Sequence, residues 1–183
     1  VILGKDSLAN IIDKFAQIVT EKDEDTGKIS RKMIFPRYHQ LTSVRQILDH
    51  AKRNGVNNKY LIQHSAGSGK SKSIAWLAHQ LHGLYDTSGK KHIFDSIIVI
   101  TDRIVLDRQL SEDIKQFSPK RGIVKHITSE GGSKTSNLIE ALANHKKVII
   151  CTIQTFPFLL DEMSDMPIQN FGIIIDEAHS GQS

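Results

Sequence analysis

The sequence is poor in cysteine and in aromatic residues, and each shortage excludes a kind of protein. Its single cysteine, Cys151, cannot form a disulfide within the chain, which excludes a small secreted scaffold held by disulfides. Aromatic residues make up only 6% of the 183 residues, which argues against a platform on which the bases of single strands stack. No apolar run approaches the length of a membrane span, so we expect neither a membrane partner nor a signal peptide.

The composition that remains is that of an ordinary globular domain. Hydrophobic residues make up 39% of the chain and charged residues 24%, which is enough for one core. The net charge of +4 mildly favours a nucleic-acid partner without being diagnostic. Nine histidines are scattered without the spacing of a structural metal site. Both ends of the sequence look like cuts in a longer protein.

The segment with the sequence HSAGSGKS, residues 64–71, predicts a phosphate-binding loop. Glycines let consecutive backbone N–H groups point at one anion, and the N-terminus of the following helix adds partial positive charge. We expect Lys70 to reach the β and γ phosphates of a nucleotide and the Ser71 hydroxyl to lie on Mg²⁺. The predicted nucleotide-binding residues are Gln40, Ala66, Gly67, Ser68, Gly69, Lys70 and Ser71, with the role of Gln40 resting on a resemblance described below.

This loop departs from the usual pattern at its first position. The pattern G-x-x-x-x-G-K-[ST] has glycine there, whereas this chain has His64. The alternative is an ordinary glycine–serine turn before a helix, which the combination of strand, loop, Lys70, Ser71 and helix makes the weaker reading.

A second motif, Asp-Glu-Ala-His at residues 176–179, follows the apolar run at 171–175. Carboxylates at the carboxyl end of a buried strand lie where open α/β sheets bind ligands. We expect Asp176 to hold Mg²⁺, through water, and Glu177 to orient and deprotonate the attacking water. The alternative is an acidic helix cap after a core strand.

The sequence predicts two parts in the chain as a whole. Residues 1–36 form a lead-in of a helix and a hairpin, and residues 37–183 form a partial α/β domain. Ser7 is predicted to cap a first helix, and a hairpin is predicted over 18–35. A helix over 38–53 follows. The pattern then alternates, which implies a parallel sheet flanked by helices. The predicted strands are 60–63, 96–101, 123–127, 147–152 and 171–175, and the predicted helices are 70–84, 103–117, 137–145 and 155–161.

On these motifs the chain resembles motor domain 1, a RecA-like P-loop fold, of a DEAH-box superfamily 2 ATPase. It is especially similar to the R subunit of type I restriction–modification enzymes. The segments that carry this resemblance are Arg37-Tyr38-His39-Gln40, residues 63–71 running into 74–78, Thr101-Asp102-Arg103 with Leu106, Asp107 and Gln109, residues 152–156, and residues 176–180.

The resemblance implies roles that the residues alone do not. Gln40 would recognise the edge of adenine, and His179 would couple the nucleotide state to a neighbouring motor domain. A DNA-facing set would hold phosphate oxygens, which gives grip without sequence information. Its members are Thr101, Arg103, Thr152 and Thr155. The alternatives are a solvated Gln40, threonines that only form strands or caps, and an Arg103 paired with Asp107.

The resemblance also implies a parent and its partners. Relatives of this kind carry an upstream nuclease domain and a second motor domain with an arginine finger, and they work with modification and specificity subunits on double-stranded DNA. The parent would be an ATP-dependent, cytoplasmic bacterial or archaeal endonuclease, and this chain a sheet truncated before its later strands. The alternatives are another superfamily 2 motor acting in RNA unwinding or DNA repair, and a nucleotide-binding module without turnover.

Overall fold

The structure is a computed structural model that describes most of the chain. The described residues are 4–22, 26–102, 104–117, 122–127, 137, 140–141, 147–157 and 169–176. None of the helices in these ranges is long and apolar enough to cross a membrane. The predicted helices at 137–145 and 155–161 lie largely outside the described residues.

The chain begins with a helix and an antiparallel hairpin, as predicted. These are α1 (Lys5–Lys14), β1 (Gln17–Lys22) and β2 (Ile29–Ile34). The predicted cap at Ser7 is wrong, because α1 begins two residues earlier and Ser7 lies inside it. The Ser7 hydroxyl instead accepts a hydrogen bond from Arg45 Nη1 at 2.9 Å, which ties α1 to the next helix.

The remainder is an α/β layer built on a parallel sheet, which confirms the predicted fold class. Its elements are α2 (Tyr38–Asn54), α3 (Lys70–His82), β3 (Ser96–Thr101), α4 (Ile104–Gln116), β4 (Val124–His126), β5 (Val148–Thr152) and β6 (Phe171–Ile175). The strands lie in the order β4-β5-β3-β6, and every pairing is parallel. Helix α2 ends at Asn54 and is capped by Gly55, whose φ of 69° is one that glycine adopts more readily than other residues.

The central strand β3 is apolar on both faces because both faces are covered. Ile97 and Val99 pack into the core shared with α3 and α4, while Ile98 and Ile100 point the other way. All four side chains are buried. Successive residues of a strand face opposite sides of a sheet, so a continuous apolar run is what a doubly covered parallel strand requires.

Helix α3 is anchored by Trp76, which is 1% exposed. Its indole ring lies 5.9 Å from the ring of Phe15 and 5.3 Å from that of Phe117, measured between centroids. Its Nε1–H donates to the carbonyl oxygen of Phe15 at 2.9 Å. One residue therefore joins the lead-in, α3 and the end of α4, and it satisfies its only polar group while buried.

The predicted strand at 60–63 is wrong. These residues form no ladder, and Leu61 is 88% exposed. A strand needs a neighbour for its backbone groups, and none of the described residues supplies one. Within the same ranges β6 pairs only with β3, and Ile173 and Ile175 on it are about half exposed, at 48% and 52%. The apolar run at residues 60–63 was therefore not sufficient to place that segment in the sheet.

Candidate nucleotide site

The phosphate loop is a tight turn that runs directly into α3. The Ser68 N–H donates to the Ser65 carbonyl oxygen at 3.2 Å, and Gly67 and Gly69 have φ angles of 71° and 85°. A side chain is strained in that region of backbone space, so glycine is the suitable residue at both places. The Gly69 carbonyl then accepts the first backbone hydrogen bonds of α3, which begins at Lys70. The predicted order of loop and helix is confirmed.

Two features of the loop are compatible with a bound phosphate group. The Ser68 side-chain oxygen is buried, and among the described residues it finds no hydrogen-bond partner. A buried hydroxyl without a partner is costly, so an acceptor brought within reach of the Ser68 hydroxyl would stabilise it. The first turn of α3 also leaves N–H groups without acceptors inside the helix. Ser71 lies in that turn, and its predicted Mg²⁺ role remains a prediction.

Gln40, at the start of α2, is bonded to this loop. It is 3% exposed. Its Nε2 donates to the carbonyl oxygens of Gly69 at 2.9 Å and Ser68 at 3.4 Å, and its Oε1 accepts from the Arg37 N–H at 2.8 Å. Recognition of adenine by Gln40 stays a prediction, while the structure gives the side chain a second task, which is to hold the loop against α2.

Two residues that sequence reasoning left without a role also reach the loop. Arg37 Nη1 donates to the Gly67 carbonyl oxygen at 3.3 Å, and His39 Nε2 lies 3.1 Å from that of Ser68. A carbonyl only accepts, so His39 carries its hydrogen on Nε2. The signal was the Arg-Tyr-His-Gln segment itself, in which only the glutamine had been given a function.

His64 faces His39 across the loop. Their ring centroids are 5.1 Å apart, and the rings are nearly perpendicular at 86°. Burial lowers the pKa of His64 below its usual value, and the neighbouring His39 and Lys70 lower it further. The departure from the glycine pattern at position 64 therefore places an imidazole in contact with α2.

Asp176 lies at the carboxyl edge of the sheet, directly after β6. Its N–H donates to the Ile100 carbonyl oxygen at 2.9 Å, which sets it beside the end of β3. This is the edge at which parallel sheets bind ligands. Glu177 and His179 lie outside the described residues, so the catalytic and coupling roles given to them, like the Mg²⁺ role of Asp176, stay predictions.

Three of the predicted DNA-facing residues meet at this same edge. Thr101 and Thr152 are paired across β3 and β5, and the hydroxyls of Thr152 and Thr155 are 3.1 Å apart. All three side chains are buried, at 1% to 3% exposed. Contact between their hydroxyls and DNA would need an exposure that this conformation lacks. Their role stays a prediction, and Arg103 lies outside the described residues.

A family model described as SWI2/SNF2 ATPase matches residues 39–183. The chain belongs to the SWI2/SNF2 ATPase family. The match covers the phosphate loop and the Asp-Glu-Ala-His motif together, so the two predicted motifs fall within one ATPase domain. An ATPase domain implies ATP with a divalent metal ion, and the loop geometry of this SWI2/SNF2 domain fits the phosphates of that nucleotide.

A solved structure shares the fold. The UvsW helicase from bacteriophage T4 superimposes with a TM-score of 0.57 at 20% sequence identity, over 97% of this chain and 51% of that one. The SWI2/SNF2 domain therefore spans about half the length of the helicase it matches. At this identity the likeness shows the helicase-type α/β fold alone. No curated protein matches the chain.

Proposed function

We propose that this SWI2/SNF2 ATPase domain is half of the ATP-driven motor in the R subunit of a type I restriction–modification enzyme. The observation that supports an ATP site is the turn at Gly67–Gly69, with the buried Ser68 hydroxyl, leading straight into Lys70 and α3. The observation that favours this branch of motors is the pair of segments Arg37–Gln40 and Thr101–Arg103.

The proposed chemistry divides the work among four side chains. Lys70 neutralises charge on the β and γ phosphates, and Ser71 and Asp176 hold the metal ion. Glu177 orients the attacking water and accepts its proton. Bound Mg²⁺ would supply further neutralisation of phosphate charge. Phosphoryl transfer depends on positioning and charge more than on covalent chemistry, so these groups suffice for one side of the site.

The other side of the site would come from a second motor domain in the same parent. An arginine finger supplies on the order of 10³–10⁵ in rate in related phosphoryl-transfer systems. This chain spans about half of the helicase it resembles in fold. We therefore expect it to bind ATP weakly by itself and to turn it over little.

Double-stranded DNA is the proposed track. Thr101, Thr152 and Thr155 cluster at the sheet edge that also carries Asp176, and Arg103 lies two residues after Thr101 in the sequence. Contacts of this kind hold phosphates and do not discriminate sequence, so recognition of a site would fall to a specificity subunit. Cleavage would fall to a nuclease domain upstream in the parent.

The test uses the intact parent and compares two variants. Glu177→Gln keeps the side-chain shape but cannot accept a proton, so it should bind ATP without hydrolysing it. Lys70→Ala should prevent productive binding, and both variants should stop translocation and distant cleavage. Wild-type ATPase activity in the Glu177→Gln parent would refute the assigned role. Stimulation by duplex RNA and not by duplex DNA would favour a different motor of this family.

DNA binding has its own test in the Arg103→Ala parent. If Arg103 holds a phosphate, affinity should fall about equally on unrelated duplex sequences, and the slope of log affinity against log salt should decrease by roughly one unit. A changed sequence preference with an unchanged salt slope would make Arg103 a base reader and refute the proposed track contact.

A further inference from the structure

The N-terminal turn of α2 and the phosphate loop are joined by a set of side-chain contacts that we call the clasp, formed by Arg37, His39 and Gln40. Together they donate to the carbonyl oxygens of three consecutive loop residues, Gly67, Ser68 and Gly69. These contacts bridge about 30 residues of sequence. Bonds to three consecutive carbonyls restrict the conformations open to the loop, and so restrict the directions in which its N–H groups can point.

Within the clasp, His39 is the residue that reaches two separate parts of the loop. Its Nε2 bonds the Ser68 carbonyl oxygen at 3.1 Å, and the ring meets that of His64 edge to face at 5.1 Å. A glycine at position 64, as in the usual loop pattern, has no side chain to make that contact. The lowered pKa of His64 favours its neutral form at pH 7, so the ring contact is not a repulsion between two cations.

We infer that His39 and His64 form a positioning pair, which holds the phosphate loop in its nucleotide-receiving shape before the nucleotide arrives. The inference rests on the proposed function of the loop as an ATP site. Gly67 and Gly69 give the loop more backbone freedom than other residues would, and ordering it on binding would cost affinity. A loop ordered in advance by α2 avoids that loss.

Two single variants separate the two contacts of His39. His39→Phe keeps a ring against His64 but removes the donor to the Ser68 carbonyl. His64→Gly restores the usual loop residue but removes the ring that His39 meets. Neither residue is placed in the hydrolytic chemistry, so both variants leave Lys70, Ser71 and the carboxylates as they are.

The first readout needs no nucleotide. Hydrogen exchange of the backbone amides of residues 65–69 reports how often the loop opens. Each variant should raise the exchange rate in this segment about three- to tenfold, the change expected for losing one hydrogen bond or one ring contact. Exchange within twofold of wild type in both variants would overturn the inference, whatever the loop binds.

The second readout is ATP affinity in Mg²⁺, measured by calorimetry on this chain. Each variant should weaken binding about three- to tenfold. A third single variant, His39→Ala, removes the ring contact with His64 as well as the donor. His39→Ala combined with His64→Gly should weaken binding by less than the product of the effects of His39→Ala alone and His64→Gly alone, because both of these substitutions remove the same ring contact. Strictly multiplicative effects would show that the two histidines act independently and would overturn the pair.

A matched control distinguishes positioning from general loss of stability. The control variant is Leu48→Ala. Leu48 lies on the same helix and packs against the core, and none of the described hydrogen bonds joins it to the loop. This variant should lower the melting temperature while leaving loop exchange and ATP affinity within twofold of wild type. If His39→Phe behaves like Leu48→Ala, its role is structural and the inference fails. If the wild-type chain binds no ATP, the proposed function fails, and the exchange measurement still decides on the pair.

Discussion

The two ends of helix α3 differ in the environment that surrounds their basic side chains, Lys70 at the start and His82 at the end. At its start, Lys70 follows the polar loop, where helix geometry favours an anion. At its end, His82 stacks on His92 with ring centroids 6.0 Å apart and planes 9° from parallel. A helix C-terminus ordinarily favours a protonated histidine by about 0.3–1 kcal/mol. The environment of His82 does not follow that preference.

Burial decides the state of His82. Burial makes the largest contribution and the nearby charges of Lys147, His92 and His79 add to it, and together they lower the pKa of His82 to about 4. The Nδ1 atoms of both stacked rings are buried and have no hydrogen-bond partner among the described residues, so a proton added there would lack an acceptor. Local burial, and not the helix dipole, therefore sets the protonation state of His82 at the C-terminal end of α3.

The largest effect is expected for Trp76→Ala, which tests whether the two ends of α3 unfold together as one helix. Trp76→Ala removes the side chain that lies between Phe15 and Phe117 and should cost about 3–5 kcal/mol of unfolding free energy in urea. Trp76→Phe keeps much of the ring volume and should cost clearly less. Loss of structure at only one end of α3, followed by hydrogen exchange, would show that the ends are not coupled.

The next largest effect is the loss of stability at low pH that His82 causes. Because the folded pKa of His82 lies below the unfolded value, its stabilising contribution is present above about pH 6.5 and is lost as the pH falls toward 4. After discounting for partial exposure we expect about 2 kcal/mol over that range. Thermal unfolding at a series of pH values measures it. His82→Phe keeps a stacked ring and should flatten this part of the profile; an unchanged slope would assign the acid sensitivity elsewhere.

The smallest effect is expected for alanine substitutions at the two glycines that flank α3, Gly69 and Gly83. Gly69 has a φ of 85°, and a β-carbon there would lie 2.5 Å from Gln40 Nε2, whereas the nearest atom to a β-carbon on Gly83 is 3.8 Å away. Gly69→Ala should therefore cost about 1 kcal/mol or more and displace Gln40. Gly83→Ala, its matched control, should stay within about 0.5 kcal/mol of wild type. Equal melting temperatures for the two variants would contradict this difference.

The sequence predicted correctly those elements whose formation depends on local residues. The glycines of the loop, the lysine after them and the apolar runs at 96–101 and 171–175 placed the loop, β3 and β6 correctly. It failed at 60–63, because pairing depends on which neighbours exist and not on the apolar run itself. The contrast with β3 is direct, since β3 has a partner on each side and 60–63 has none in the described part of the chain.

The site was predictable as a set of residue types but not as a set of contacts. Gln40 could be named from the resemblance, but its bonds to Ser68 and Gly69 depend on a fold that brings α2 beside the loop. The burial of Thr101 and Thr152 could not be foreseen either, because short hydroxyl side chains suit both a strand interior and a phosphate contact.

The central claim is that the start of α3 is a nucleotide site, and calorimetric titration with ATP in the presence of Mg²⁺ tests it most directly. We expect weak, saturable, one-to-one binding of ATP by this chain, and we expect Lys70→Ala to abolish that binding while its melting temperature stays close to wild type. Binding of equal strength to wild type and to Lys70→Ala, or no binding by the folded wild-type chain, would contradict it.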